Sequence, residues 1–147
     1  MVTMTPDQVH DLILRTLMRC RTAEANARSV AQALVAAEMV GQSGHGLRRV
    51  PSYGAQALSG KVDGFATPTA THPRPGVMAV DAAMGFAYPA LDLAVDWLAE
   101  AASQQGIAAA GIARSHHCGV AGVTVERLAR SGLVALLFAN TPAAMAP

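Results

Sequence analysis

The feature that most constrains this chain is a change of hydrophobic period partway along it. Up to residue 60, apolar residues recur at three- and four-residue intervals; beyond residue 76, short continuous apolar runs alternate with helical stretches. Thr5-Pro6-Asp7 reads as a helix start, with Thr5 as N-cap, Pro6 at the first helical position, and Val9, Leu12, Ile13 and Leu17 following at helical spacing. Thr22 is placed to cap a second, alanine-rich helix reaching about Val40, where Val30, Leu34 and Ala37 share a face. The two helices are expected to pack as a hairpin. Only 4% of the residues are aromatic, so that packing must rest on small side chains and closely approaching backbones.

A glycine-rich bend, Gly41-Gln42-Ser43-Gly44-His45-Gly46, precedes a short helix that stops at Gly60, with Pro51 in its first turn or at a kink. Residues 62–76 are rich in Thr, Pro and Gly and lack a helical period, which predicts an extended linker and a subdomain boundary near Pro75. Then follow a strand at 77–81, a helix at 88–105 ended by Gly106, a strand at 107–113, a helix at 119–130 and a last strand at 133–140. The fold class is therefore α/β, helical first and alternating afterwards. Taken alone, the β-α-β-α-β order suggests a parallel doubly wound sheet, yet no G-x-G-x-x-G turn joins a strand to a helix, and the topology stays open.

Composition removes several function classes. The 147 residues carry a formal net charge of +1, with Lys and Arg dispersed, so the electrostatic footprint of a nucleic-acid or anionic-membrane partner is absent. The longest mainly apolar run, at 133–139, is far short of the roughly 20 residues that cross a bilayer, and the N-terminus lacks a basic-then-apolar leader. A cytoplasmic location is expected. Cys20 and Cys118 sit in unlike contexts, one in an amphipathic helix and one in a glycine-rich turn, which favours free thiols.

Three groups of residues carry chemistry. In the first, His45, Arg49 and Tyr53 are spaced four apart, so a helix beginning near Gly46 would line them on one face, with Ser43 just before it. Arg can grip a carboxylate through two parallel hydrogen bonds, and His can exchange a proton with a hydroxyl or carbonyl oxygen. A solvated polar helix face has the same pattern. The second group is Ser115-His116-His117-Cys118-Gly119-Val120-Ala121-Gly122, where a strand ends and a helix begins. Free backbone N–H groups and a positive dipole end there suit pyrophosphate, while a plain polar turn is the alternative. Adjacent His-His-Cys residues rarely share one ion, and no second ligand cluster is present, so no metal is expected. A Cys118 nucleophile lacks an identifiable oriented base. The third group, Asn140-Thr141, stands at the end of the last apolar run, where it either meets a ligand or turns the chain.

In this order and at these separations, the groups resemble the malate/L-lactate dehydrogenase family, which includes malate, sulfolactate and ureidoglycolate dehydrogenases and cyclic-imine carboxylate reductases. The family block D-S-H-G-x-x-R-[LV]-x-x-Y is similar to Ser43-Gly44-His45-Gly46-Leu47-Arg48-Arg49-Val50-Pro51-Ser52-Tyr53, and the block N-S-x-H-x-G-x-A-G to Arg114-Ser115-His116-His117-Cys118-Gly119-Val120-Ala121-Gly122. Gly44 stands where the family usually has Ser, leaving Ser43 as the available hydroxyl, and Arg114 replaces the usual Asn.

The resemblance implies hydride transfer between NAD or NADP and C2 of a 2-hydroxy or 2-keto acid such as malate, lactate or sulfolactate. It makes His45 and His117 the acid/base candidates, with His117 favoured for alcohol oxidation, and Ser43 a further catalytic candidate. It assigns the substrate carboxylate to Arg49 and the pocket wall to Tyr53. The cofactor falls to His117, Cys118, Gly119, Val120, Ala121 and Gly122, with Asn140 and Thr141 nearby.

It also implies a non-Rossmann cofactor domain with a largely antiparallel sheet, and a homodimer. Residues 1–75 would form the helical subdomain that carries the catalytic block. Residues 76–147 would form part of an NAD(P)-binding domain truncated at its C-terminus, because family chains are about twice as long or more. A piece of that kind is expected to expose apolar strand faces at 107–113 and 133–139. The alternative reading is an inactive module that keeps only dimerisation or anion binding.

Overall fold

The computed structural model describes residues 3–140. Helix α1, Pro6–Arg19, begins as expected. The Thr5 hydroxyl accepts from the Gln8 amide at 3.3 Å, and the Gln8 side chain accepts from the Thr5 amide at 2.8 Å, a reciprocal capping box with Pro6 inside the first turn. Helix α2, Glu24–Met39, packs against it: Ile13 and Leu17 of α1 and Ala27, Val30, Ala31 and Leu34 of α2 are all fully buried. The N-cap of α2 is Ala23, not Thr22. Thr22 is buried, and its hydroxyl is turned back to the Cys20 carbonyl at 3.3 Å, so it closes the preceding turn and does not cap the helix that follows.

Two short 3-10 turns, Ser43–His45 and Leu47–Arg49, lead into α3, Val50–Leu58, with Pro51 in its first turn. The expected linker at 62–76 is corrected in part, because it contains strand β1, Thr69–Arg74. Its preceding loop is stapled by the buried Asn26, whose side-chain amide donates to the carbonyls of Gly64 at 2.9 Å and Ala66 at 2.8 Å. Tertiary partners thus order a segment that has no period of its own. Pro75, the expected boundary, lies in the connection between β1 and β2, Val77–Asp81, which pair antiparallel.

Helix α4, Ala87–Gln105, follows, and then β3, Ala109–Ala113, which pairs with β2 in parallel. The sheet order is β1-β2-β3, so the antiparallel pairing implied by the resemblance and the parallel pairing suggested by element order both occur. Helix α4 serves two cores. Tyr88 and Leu91 enter the helical cluster with Tyr53, Ala57 and Phe86, while Ala90 and Ala94 cover Met78 and Val80 of β2. Such a helix must be apolar on more than one side, which its alanine-rich sequence allows.

Helix α5 spans Ala121–Ala129. The strand expected at 133–140 does not form, because a strand needs a hydrogen-bonded neighbour and none of the described residues supplies one there. The side chains still alternate: Leu133, Ala135 and Leu137 are half-buried, whereas Val134, Leu136 and Phe138 are 99%, 81% and 89% exposed. No helix among the described residues is long and apolar enough to cross a membrane.

Candidate active site

The two histidine blocks, far apart in sequence, meet. The rings of His45 and His117 stack with centroids 5.2 Å apart and planes 7° from parallel. They do not meet by way of one helix face, as the four-residue spacing predicted. Gly46 is buried, and the Glu38 carboxylate of α2 occupies the space beside it: a Cβ there would lie 2.2 Å from Glu38 Oε1. That oxygen accepts from the Leu47 amide at 2.7 Å, so the chain turns between His45 and Leu47 and the segment 43–53 is not one helix. Arg49 reaches back, its Nε donating to the Gly44 carbonyl at 2.7 Å.

Tyr53, buried on α3, is the hub. Its hydroxyl oxygen lies 3.0 Å from His117 Nδ1 and 3.1 Å from the hydroxyl of the buried Tyr88 at the start of α4. His116 packs edge-on to the Tyr53 ring at 4.8 Å, and its Nε2 pairs with Gln56 Oε1 at 2.6 Å. Gly119 adopts φ +73, where a Cβ would fall 2.7 Å from the Tyr88 hydroxyl oxygen. Only glycine satisfies both conditions.

The charge of Arg49 acts on both His116 and His117. Burial first, then the charge of Arg49 and the neighbouring His45, lowers the pKa of His117. His116 is pushed down to about 4, mainly by burial, with His117, Lys61 and Arg49 adding to it. Burial raises the pKa of Tyr53 and of Tyr88, so both phenols stay protonated at neutral pH. A guanidinium beside protonated phenols suits a carboxylate.

The cofactor candidates are placed less uniformly. Cys118 is half-buried against the helical core and, with Tyr88, lines a cavity of about 270 Å³ between α2, α4 and α5. Val120 is the N-cap of α5 and makes no side-chain cap, and Ala121 and Gly122 form the exposed first turn, where a Cβ on Gly122 meets nothing closer than Val120 Cγ1 at 4.0 Å. Open space at an uncapped helix N-terminus fits a pyrophosphate-bearing cofactor. The site's hydrogen bonds do not run through Ser43. Asn140 is exposed and takes no part in these contacts, and Thr141 lies outside the described residues. Both cysteines are free, and no group of three or more His, Cys, Asp or Glu among the described residues could hold a metal ion.

The sequence reading left two contributors out, Gln56 and Tyr88, and placed His116 in its second group without a role of its own. Gln56 was legible in principle, three residues beyond Tyr53 on the same helix. Tyr88 carried no local signal, because its hydroxyl meets Tyr53 only through the tertiary placement of α4, which packs on α2.

The solved structures define the class of protein first. A Δ1-piperideine-2-carboxylate reductase from Pseudomonas syringae superposes with TM-score 0.86 at 33% identity, over 90% of this chain and 40% of that one. A malate dehydrogenase from Pyrococcus horikoshii shares the fold, with TM-score 0.82 over 89% of this chain and 38% of its own. The chain belongs to the malate/L-lactate dehydrogenase family, which it matches over residues 4–147. It is 48% identical over 121 residues to a (2R)-3-sulfolactate dehydrogenase (NADP(+)) from Chromohalobacter salexigens, covering 82% of this chain and 36% of that protein. It is 39% identical over 147 residues to a Δ1-pyrroline-2-carboxylate/Δ1-piperideine-2-carboxylate reductase from Pseudomonas aeruginosa, covering 100% of this chain and 44% of that one. The chain therefore spans less than half the length of these relatives.

Proposed function

We propose that this chain supplies the substrate-binding and proton-handling part of an NAD(P)-dependent oxidoreductase acting on a small 2-hydroxy, 2-keto or cyclic 2-imino acid. The observation that carries the reading is the stacked His45 and His117 pair, whose neighbour in the site is the cation of Arg49. The relatives' names, a sulfolactate dehydrogenase and a cyclic-imine carboxylate reductase, support a substrate with a carboxylate next to the reacting carbon.

Arg49 grips that carboxylate and so presents one face of C2. The imidazoles of His45 and His117 face the oxygen or nitrogen on C2, where one exchanges its proton and the other donates a hydrogen bond to it. The cofactor is held by the backbone and side chains of 117–122 at the α5 N-terminus, and when bound it supplies the hydride acceptor or donor at C4 of its nicotinamide. Residues 1–75 act as the catalytic subdomain, residues 76–147 as part of the cofactor domain, and the working protein is a homodimer.

Two experiments test the reading. In the enzyme at the relatives' full length, Arg49→Ala should lower kcat/KM by the equivalent of roughly 3–5 kcal/mol, the cost of leaving a bound carboxylate unpaired. An unchanged kcat/KM removes Arg49 from the mechanism. Titrating the 147-residue chain with NADH and NADPH, followed by nicotinamide fluorescence, asks whether residues 117–122 suffice to hold the cofactor. No binding would limit this chain to the acid-binding half.

A further inference from the structure

Both hydrogen bonds of His117 fall on the same ring nitrogen. Nδ1 lies 3.2 Å from the Gly119 backbone nitrogen and 3.0 Å from the Tyr53 hydroxyl oxygen. A backbone amide can only donate, so Nδ1 accepts, and the single proton of the neutral imidazole sits on Nε2. Tyr53 has one O–H. Turned toward Nδ1, it leaves nothing to give Tyr88, so the Tyr88 O–H donates to Tyr53 across 3.1 Å. One backbone N–H thereby sets the direction of the whole chain, Tyr88 to Tyr53 to His117. Gly119 is kept in place by its left-handed backbone and by the Tyr88 ring packed where a Cβ would stand, so the end that sets the direction and the far end of the chain brace each other.

We propose that Gly119, Tyr53 and Tyr88 are positioning residues that clamp His117 in its Nε2–H tautomer, so that it works as a hydrogen-bond donor to the oxygen or nitrogen on substrate C2. The clamp is read from this chain alone; its use on a substrate rests on the function proposed above. It is a clamp and not a proton wire. Passing the Tyr53 proton to Nδ1 would leave a phenolate on Tyr53 or Tyr88, both buried in the helical core. Adding a proton to Nδ1 from outside would set two N–H groups, its own and that of Gly119, against each other. His117 therefore stabilises negative charge developing on the substrate without giving up its proton, and net proton transfer passes to the other ring of the stacked pair.

The test uses the 147-residue chain labelled with 15N-histidine, with the His117 signals assigned through their loss in His117→Gln. Long-range proton–nitrogen spectra at neutral pH should show Nε2 protonated and Nδ1 unprotonated, in one tautomer. Tyr53→Phe removes one of the two donors to Nδ1 and should shift its resonance part of the way toward that of an unbonded nitrogen, while the Gly119 N–H keeps the Nε2–H tautomer. Tyr88→Phe, which keeps the ring against Gly119, should do the same more weakly. A wild-type His117 in the Nδ1–H form or in a mixture of tautomers overturns the proposal whether or not any variant folds. So does an Nδ1 signal unmoved in a folded Tyr53→Phe.

At the relatives' full length, Tyr88→Phe should lower kcat by about three- to tenfold, the worth of one neutral hydrogen bond, with KM unchanged. A clamped tautomer in an enzyme whose His117→Gln variant turns over normally would leave the clamp standing and overturn the function assigned to it.

Discussion

Gly119→Ala tests how tightly the turn before α5 is seated on Tyr88. At φ +73 an L-residue costs about 1–2 kcal/mol in backbone strain. The new methyl would also stand 2.7 Å from the Tyr88 hydroxyl oxygen, 3.0 Å from Cε1 and 3.2 Å from Cζ. Tyr88 is buried among Tyr53, Phe86 and Leu91, so overpacking adds about 1–3 kcal/mol. The sum, roughly 2–5 kcal/mol, separates cleanly from two controls. Gly60→Ala, at φ +76 with nothing within 4 Å of the new methyl, carries the backbone strain alone, about 1–2 kcal/mol. Gly122→Ala, in the first turn of α5 with open space around it, should stabilise by about 0.5–1 kcal/mol. Urea unfolding followed by far-ultraviolet circular dichroism gives all three. Adding Tyr88→Phe to Gly119→Ala removes the tightest contact and should restore part of the loss. If Gly119→Ala matches Gly60→Ala to within about 0.5 kcal/mol, the Tyr88 ring yields freely and does not seat the turn.

Three further outcomes are expected. His116 titrates near about 4 in the fold against about 6.5 when unfolded, so the unfolded chain binds the extra proton between those values. Stability should fall as the pH drops through that window, and His116→Gln should flatten the slope of urea midpoint against pH. Asp81 is held below the usual carboxylate range, first by its hydrogen bond from Arg114, so its contribution is present above about pH 4 and lost below it. Arg114 sits at φ 52, a conformation Asn adopts more readily, so Arg114→Asn should melt near the parent at neutral pH and lose stability less steeply in acid. Val134, Leu136 and Phe138 project from the chain, so the isolated protein should self-associate, and Leu136→Lys with Phe138→Lys should suppress this in light scattering without moving the melt. A parent that stays monomeric at every concentration, with a cooperative melt, counts against the last expectation.

The helices were legible because their signals are local. The Thr5 capping box, Pro51 in a first turn, Gly106 after Gln105 and the spacing of Ile13, Leu17, Val30 and Leu34 act within a few residues. The strands were legible only where their residues are apolar. β2 was found from its Val-Met-Ala-Val run, whereas β1, with Thr, His and Pro, owes its strand to pairing with β2. The run at 133–140 has the composition of a strand but no neighbouring ladder among the described residues.

The change of period near residue 76 therefore determined the class of fold and the order of its elements, since both follow from which side chains must leave water. Residue types at the two histidine blocks pointed to the family. What only the tertiary structure decided is how those blocks meet. The Glu38 carboxylate against Gly46 breaks the helix that would have aligned His45 with Tyr53, and α4 packed on α2 brings Tyr88 to Tyr53 and so to His117. Each of these contacts joins residues on different elements, and sequence spacing carries no information about distances that only packing sets.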